Sequence, residues 1–400
     1  MTAQPGRDRR ALIGDCVHCG FCLTTCPTYV LWGEEMDSPR GRIQLMLQQT
    51  QGEPLTPTMA GHFDACLGCM ACVTACPSGV QYDELITETR AMVEEVRPPA
   101  GRALRAAVFA LFPYRRRLSL AKAPLRGYRM LGTPFKRQLP ATLRTLLDLA
   151  PPAGRAVALP AVVPAIGRRR ARVGMLTGCV QHAFFPGVNA ATARVLAAEG
   201  CEVVIPEDQG CCGALSRHSG RAEEADRFAA ALRRSFAGVD ALVVNAAGCG
   251  SSLKEAAGPF AGRAVDLTEF LADLGPIAPR HPVPVTAAYH DACHLAHAQG
   301  IRAQPRALLR AIPGLDLREI PDGEICCGSA GIWNVLNPGP AAELGDRKAR
   351  DVLSTGASLL VTANPGCLMQ ISAGVQRAGA TIRLAHTAEV LDASIRGVRP

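Results

Sequence analysis

Seventeen cysteines in a chain of 400 residues are the side chains best equipped for chemistry. Residues 16–27 read CVHCGFCLTTCP, placing Cys16, Cys19, Cys22 and Cys26 ahead of Pro27. Residues 66–77 repeat the pattern as CLGCMACVTACP, with Cys66, Cys69, Cys72 and Cys76 ahead of Pro77. A C-x2-C-x2-C-x3-C-P run holds [4Fe–4S] clusters. Its two-residue gaps let one tight loop offer three thiolates to three irons, while the fourth iron takes a thiolate from elsewhere. In two-cluster proteins the fourth cysteine of each run serves the other cluster. The spacing therefore assigns Cys16, Cys19, Cys22 and Cys76 to one cluster, and Cys66, Cys69, Cys72 and Cys26 to a second. Structural zinc prefers two separated C-x2-C pairs or cysteine with histidine, and tandem four-cysteine runs ending in proline fit it poorly. His18, inside the first run, is expected to face solvent.

Nine further cysteines lie between 179 and 367, Cys201 and two sets of four, in two stretches that resemble each other at an offset of about 115. In residues 172–275, the apolar segment RVGMLT precedes Cys179, CEVVIP precedes Cys211 and Cys212, and DALVVNA precedes Cys249. In residues 283–396, PVTAAYH precedes Cys293, LDLREI precedes Cys326 and Cys327, and ASLLVTAN precedes Cys367. Helical patterns at 188–199, 221–236, 305–312 and 341–353 separate these segments. Strands alternating with helices of this length predict βαβ units and a parallel sheet. Loops after parallel strands gather at one sheet edge, where α/β folds bind ligands. Cys179, Cys211, Cys212 and Cys249 are thus expected together, as are Cys293, Cys326, Cys327 and Cys367, each set a possible additional cluster. Cys201, opening a strand, is expected in the core; free cysteines also pack as small hydrophobes.

The fold class expected is multidomain α+β. Residues 1–98 form an α-helical two-cluster ferredoxin domain, with helices over 40–49 and 85–96. A basic helical segment and Pro-rich linker cover 99–165, with Pro151, Pro152, Pro160 and Pro164 marking the linker. Two pseudo-repeated α/β domains follow, over 166–279 and 280–400. The formal net charge of +8 has one main source. Residues 101–144 carry 11 Lys/Arg and no Asp or Glu. With Leu104, Val108, Leu111 and Phe112 beside Arg115, Arg116 and Arg117, residues 102–144 read as an amphipathic contact for an anionic membrane surface or a partner protein. Nucleic acid is not expected: 2 Trp, 5 Tyr and 11 Phe make few stacking platforms, and no DNA-binding motif accompanies the charge. The polar start, Met1 to Asp15, lacks an apolar signal core, and no run of 18 apolar residues occurs. A cytoplasmic protein whose cysteines bind metal is expected, in place of a disulfide scaffold.

His290, His294 and His297 surround Cys293 in HDACHLAH, without the glutamate of an H-E-x-x-H zinc site. They are expected at the surface or beside a cluster, tuning it through their N–H groups. No G-x-G-x-x-G follows a strand, and neither a P-loop nor a G-x-S-x-G elbow occurs. Metal ligands abound, yet no catalytic residue or substrate pocket is identifiable, so two-electron chemistry is expected on another subunit.

The later cysteines resemble the cysteine-rich CCG domain of heterodisulfide reductase, whose non-cubane [4Fe–4S] clusters use five cysteines. The last cysteine of that motif is missing in both copies, where Ser252 and Gln370 stand. Across nearly the whole chain, two ferredoxin runs followed by two CCG copies resemble the iron–sulfur subunit of bacterial glycolate oxidase (glycolate dehydrogenase). GCVQHAFFPGVNAATARVLAAEGCEVV, GCCGALSRHSG, ICCGSAGIWNVLNP and VTANPGCLMQI carry that likeness. The resemblance implies a complex in which a partner FAD subunit oxidises glycolate to glyoxylate. Electrons leave through this chain's clusters toward a membrane quinone or another acceptor, with the chain cytoplasmic or peripheral on the inner membrane face. Iron–sulfur subunits of glycerol-3-phosphate and lactate dehydrogenases share the arrangement, and a heterodisulfide-reductase-like thiol/disulfide reductase is the alternative.

Overall fold

The computed structural model describes residues 7–130, 135, 138–151, 157–255, 260 and 262–400. The chain is mixed α/β: a helical N-terminal region precedes two sheets of largely parallel strands. Pro152 of the expected linker and residues 131–134, 136 and 137 of the basic segment lie outside the described residues.

The N-terminal helices pack around their own core of Met46, Phe63, Leu85 and Ile86. The helix Pro39–Thr50 opens on Ser38, whose hydroxyl accepts from the Gly41 N–H, with proline at its first position. The helix Tyr82–Val96 buries Leu85, Ile86, Thr89 and Val93 along one side. These two helices hold the cysteine loops between them.

The first sheet has the order β1-β3-β2-β4-β5, with β1 (Val162–Val163), β2 (Ala171–Leu176), β3 (Cys201–Val204), β4 (Ala241–Val244) and β5 (Ala264–Asp266). Only β1 runs antiparallel, at the edge beside β3. Its place inside the expected linker is tolerable because proline neighbours are compatible with an edge strand. The second sheet, β7-β6-β8-β9, is wholly parallel, with β6 (Val285–His290), β7 (Leu315–Glu319), β8 (Leu359–Thr362) and β9 (Arg383–His386). Leaving out β1, the two orders are identical, so the repeat in sequence is a repeat in topology.

The copies share one core. Val173, Met175, Val203 and Val243 of the first belong to the same apolar cluster as Ala287, Tyr289, Leu359 and Val361 of the second. The helix Pro186–Ala198 of the first copy packs on Thr387–Arg396 of the second, and Leu267–Leu274 packs on Ala303–Arg310. Arg194 grips Asp392 across this join with contacts of 2.6 and 2.8 Å. Cys201 is fully buried in the shared core, as expected.

The basic segment turns its apolar side toward the chain itself. In the helix Pro99–Leu111, Val108 and Phe109 pack on Ile332, with Leu215 and Leu336 alongside. Arg105 donates to the Ser219 carbonyl at 3.1 Å, and Arg115 donates to the Thr177 hydroxyl at 3.2 Å. Part of the surface expected to meet a membrane or partner is therefore spent on strapping the two copies; Leu104, Leu120 and Met130 remain exposed.

Candidate metal centres

The first cysteine run wraps its loop by placing two residues at positive φ, His18 at 54° and Gly20 at 86°. The second run does the same at the matching positions, Gly68 at 66° and Met70 at 63°. Each loop thus holds one non-glycine residue in the left-handed region, a strain that persists where surroundings over-determine the backbone. Arg40 donates to the His18 carbonyl at 3.1 Å, and Arg90 donates to the Cys66 carbonyl in the other loop. His18 is exposed, as its place in the run predicts.

Cys16, Cys19, Cys22 and Cys76 all line one cavity of about 410 Å³ that opens to solvent. Cys26, Cys66, Cys69 and Cys72 line a second, of about 310 Å³. The second cavity receives three thiols from one run and one from the other; the first receives three from its own run and two from the other, because Cys72 stands in the wall of both. Cys19 is exposed, whereas Cys26, Cys66, Cys69 and Cys72 are buried.

Electrostatics separates the thiols of the inner cavity. Burial pushes Cys69 and Cys72 well above the ordinary thiol range, with neighbouring thiols adding to it. Burial works the same way on Cys66, but Arg42, Arg90, the Gly68 N–H and the Tyr82 hydroxyl outweigh it and hold that thiol low. Arg42 is 1% exposed; it donates to the His62 carbonyl at 2.6 Å, to Thr28 at 3.2 Å and to Asp37 at 3.1 Å. A four-thiolate cluster carries net negative charge, and a buried guanidinium is the compensation such a group needs. The residues around both cavities fit [4Fe–4S] groups. Arg42, Arg90 and Tyr82 escaped the sequence reading because nothing in the cysteine spacing marks them.

In the first copy the three expected loops do converge. Cys179 Sγ lies 3.8 Å from Cys211 Sγ, and the neighbouring Cys211 and Cys249 thiols act on Cys212. In the second copy Cys293, Cys326, Cys327 and Cys367 form the same chain of contacts. Cys249 and Cys367 sit within the first turns of the helices Ala247–Glu255 and Pro365–Arg377, so the thiols meet at helix starts as well as loops. Ser252, one turn beyond Cys249, is buried and its hydroxyl has no partner. Gln370 is also buried, but it donates to the Ala341 carbonyl at 2.7 Å and accepts from Asn334 at 3.2 Å.

None of the three histidines is exposed. His297 is buried beside the Thr74 hydroxyl, 2.7 Å away, joining the N-terminal region to the second copy. One turn of π-helix, His294–Ala298, carries it, a departure from regular helix often seen at functional sites. His294 Nδ1 lies 3.6 Å from Cys293 Sγ, and its ring packs against His218 of the first copy, with centroids 4.7 Å apart and planes inclined by 50°. Burial drives His290 down to about 3 and His294 to about 4, so both are neutral imidazoles at pH 7.

The second copy reaches the inner cavity through its thiols, whereas the first meets it by way of Arg90, which donates to the His218 carbonyl at 2.8 Å. Cys69 packs in one apolar cluster with Leu67, Cys326 and Trp333, and it is among the neighbouring thiols that help to push Cys326 up. The Trp333 indole donates to the Ala65 carbonyl at 3.0 Å. Lys348, 1% exposed, stands near Cys326 and Cys327 and donates to the Asp322 carbonyl at 2.6 Å.

Comparison with known proteins agrees with this division. A 4Fe-4S dicluster domain matches residues 13–80, and a Cysteine-rich domain (CCG) matches residues 173–254 and 287–372. The chain is 35% identical to the probable glycolate oxidase iron-sulfur subunit of Bacillus subtilis, over 94% of this chain and 93% of that one. It is 34% identical to the glycolate oxidase iron-sulfur subunit of Escherichia coli, over 92% and 93%. Lactate utilization protein A of Halalkalibacterium halodurans is 31% identical over 55% of this chain and 96% of its own length. A crystal structure of a hypothetical protein from Helicobacter pylori superposes on 97% of this chain and 76% of its own, with a TM-score of 0.54 at 8% identity, a likeness of fold alone.

Proposed function

The chain belongs to the family of glycolate oxidase iron–sulfur subunits, and from that premise we propose that it is the electron-transfer subunit of a complex oxidising glycolate to glyoxylate. Substrate and FAD belong to a partner subunit in this reading, and a membrane quinone or another acceptor takes the electrons. The chain works in the cytoplasm or at the inner face of the membrane; among its described residues no helix is long and apolar enough to cross one.

The observation that carries the reading is the pair of adjoining cavities, which gather all eight cysteines of the two runs and share Cys72 in their common wall. When bound there, [4Fe–4S] groups accept and release electrons one at a time. The chain's own residues hold these groups at different depths. The loop with exposed Cys19 keeps the outer one within reach of a partner, and Arg42 stabilises negative charge at the inner one. Cys69 carries the inner site up against Cys293 and Cys326, so the second CCG copy is the continuation of the path.

Anaerobic purification should yield about eight iron and eight sulfide per chain from the N-terminal region alone. Glycolate should reduce these centres only when the flavin partner is present. Stoichiometric zinc without sulfide, or glycolate-dependent reduction of the isolated chain, would overturn the reading.

A further inference from the structure

His290 ends strand β6 at the edge where the second copy gathers its cysteines. Its ring nitrogen and the sulfurs of Cys327 and Cys367 all lie within 4.8 Å of one another. The imidazole is 2% exposed, and neither of its nitrogens has a hydrogen-bond partner. Two unpaired nitrogens on one buried ring are costly, at about 1–3 kcal/mol for each unmet group, and a native structure retains such a ring for a reason. We propose that His290 is a metal ligand: with Cys327 and Cys367 it makes a corner of one nitrogen and two sulfurs that takes a thiolate-seeking divalent metal, iron or zinc.

Three further observations point the same way. Gln370, where the CCG motif has its last cysteine, is engaged with Ala341 and Asn334 and offers the site nothing. The second copy therefore lacks a fifth thiol, and His290 supplies a donor from the strand instead. Asn364 donates to Cys367 Sγ at 3.4 Å, fixing that sulfur on the side of the ring. The first copy also shows that the fold does not require a histidine here. Leu176 ends β2 in the corresponding place and is 1% exposed, so an apolar side chain fills this strand end without loss of topology.

One imidazole with two thiolates is a donor set shared by zinc sites and by iron–sulfur centres in which histidine replaces cysteine. The inference is independent of whether the chain relays electrons, since the corner exists whatever the complex oxidises. Its test uses the full chain, purified anaerobically, with His290→Leu, which copies the first repeat, and His290→Cys, which keeps a ligand.

If the metal is zinc, the wild type should hold one zinc per chain, with nitrogen and sulfur scatterers at the zinc absorption edge. His290→Leu should weaken its retention at least about tenfold, the scale on which loss of even a supporting residue acts, and His290→Cys should retain zinc in an all-sulfur shell. If the metal is iron, pulsed EPR should show a directly bound imidazole nitrogen that both variants lose. His290→Cys should then lower that centre's potential, because thiolate replaces neutral imidazole. In both arms the iron and sulfide of the N-terminal centres stay unchanged, so failure here is distinguishable from failure of the electron-transfer reading. No metal beyond those centres in the wild type, no nitrogen in the shell, or equal metal content in His290→Leu would each overturn the proposal. Circular dichroism of the leucine variant, with His290→Cys beside it, separates lost ligation from lost fold.

Discussion

The two CCG copies have the same strand order and thiol pattern but different neighbours. In the first, the strand end is Leu176, the residue one turn past Cys249 is Ser252 with an unmet hydroxyl, and the His218 ring lies against His294 of the second copy. In the second, the strand end is His290, Gln370 is tied into two hydrogen bonds, and Trp333 stands where the first copy has His218. Only the second touches the inner cavity of the N-terminal region through its thiols, by way of Cys69. The repeat places four thiols in each copy at the carboxyl ends of parallel strands, the place where such folds bind ligands. What each pocket holds is then decided by a few side chains beside the cysteines.

The largest effect is expected where the second copy meets the N-terminal region. Trp333 is buried against Leu67, Cys69 and Cys326 and donates to the Ala65 carbonyl. Trp333→Ala should cost about 3–5 kcal/mol by removing a buried aromatic and leave that carbonyl without its indole donor. Chemical denaturation reads the cost, and hydrogen exchange should speed up around residues 65–72 more than at Cys211 and Cys212. Uniform exchange across both copies would break the claim that the inner cavity is continuous with the second copy's thiols and not with the first's.

That junction shows where the sequence was legible and where it was not. The six strands β2, β3, β4, β6, β7 and β8 announce themselves as short apolar runs before cysteines. Strands β5 and β9 read AVD and RLAH, too short and too polar to stand out, although the capping boxes after them were visible signals: Asp266 with Glu269, and His386 with Glu389. The cysteine spacing groups thiols within each run because a tight loop is a local constraint. It carries no information on Cys69 meeting Cys326, on Arg42 reaching Cys66, or on His290 facing Cys327, since those contacts are made only when separate regions pack. The basic segment misled for a related reason. Its apolar stripe is real, but Ile332, more than 200 residues on, is what covers Val108 and Phe109.

The caps offer a second way to sharpen the comparison, because the copies use different residues in one motif. His386 accepts from the Ala388 N–H at 3.1 Å, and burial lowers its pKa to about 4. A depressed folded-state value means a contribution fully present above the unfolded value near 6.5, and lost as pH falls through about 4. In the first copy burial raises Asp266 instead, so its contribution has the opposite sign: present below the ordinary carboxylate range and lost as pH rises through the raised value. His386→Asn keeps an acceptor for Ala388 but cannot take a proton. Near pH 4 it should recover roughly 3 kcal/mol relative to wild type, the worth of about two and a half pKa units, while at pH 7.5 the two proteins should match. Denaturant midpoints across that range measure it, and parallel acid losses in both proteins would refute the role given to His386.

The smallest effect separates the two substituted fifth positions. Gln370→Ala deletes a donor to Ala341 and an acceptor for Asn334, both buried, and should cost about 1–3 kcal/mol. Ser252→Ala deletes a hydroxyl that has no partner to lose, so the same kind of truncation should leave stability unchanged or raise it by up to about 1 kcal/mol. Thermal unfolding of the pair, at equal metal content, measures the contrast directly. A loss on Ser252→Ala as large as that on Gln370→Ala, accompanied by less metal per chain, would mean that the first copy has also recruited a non-thiol donor. The two pockets would then differ in which atom replaced the missing sulfur and no longer in whether one did.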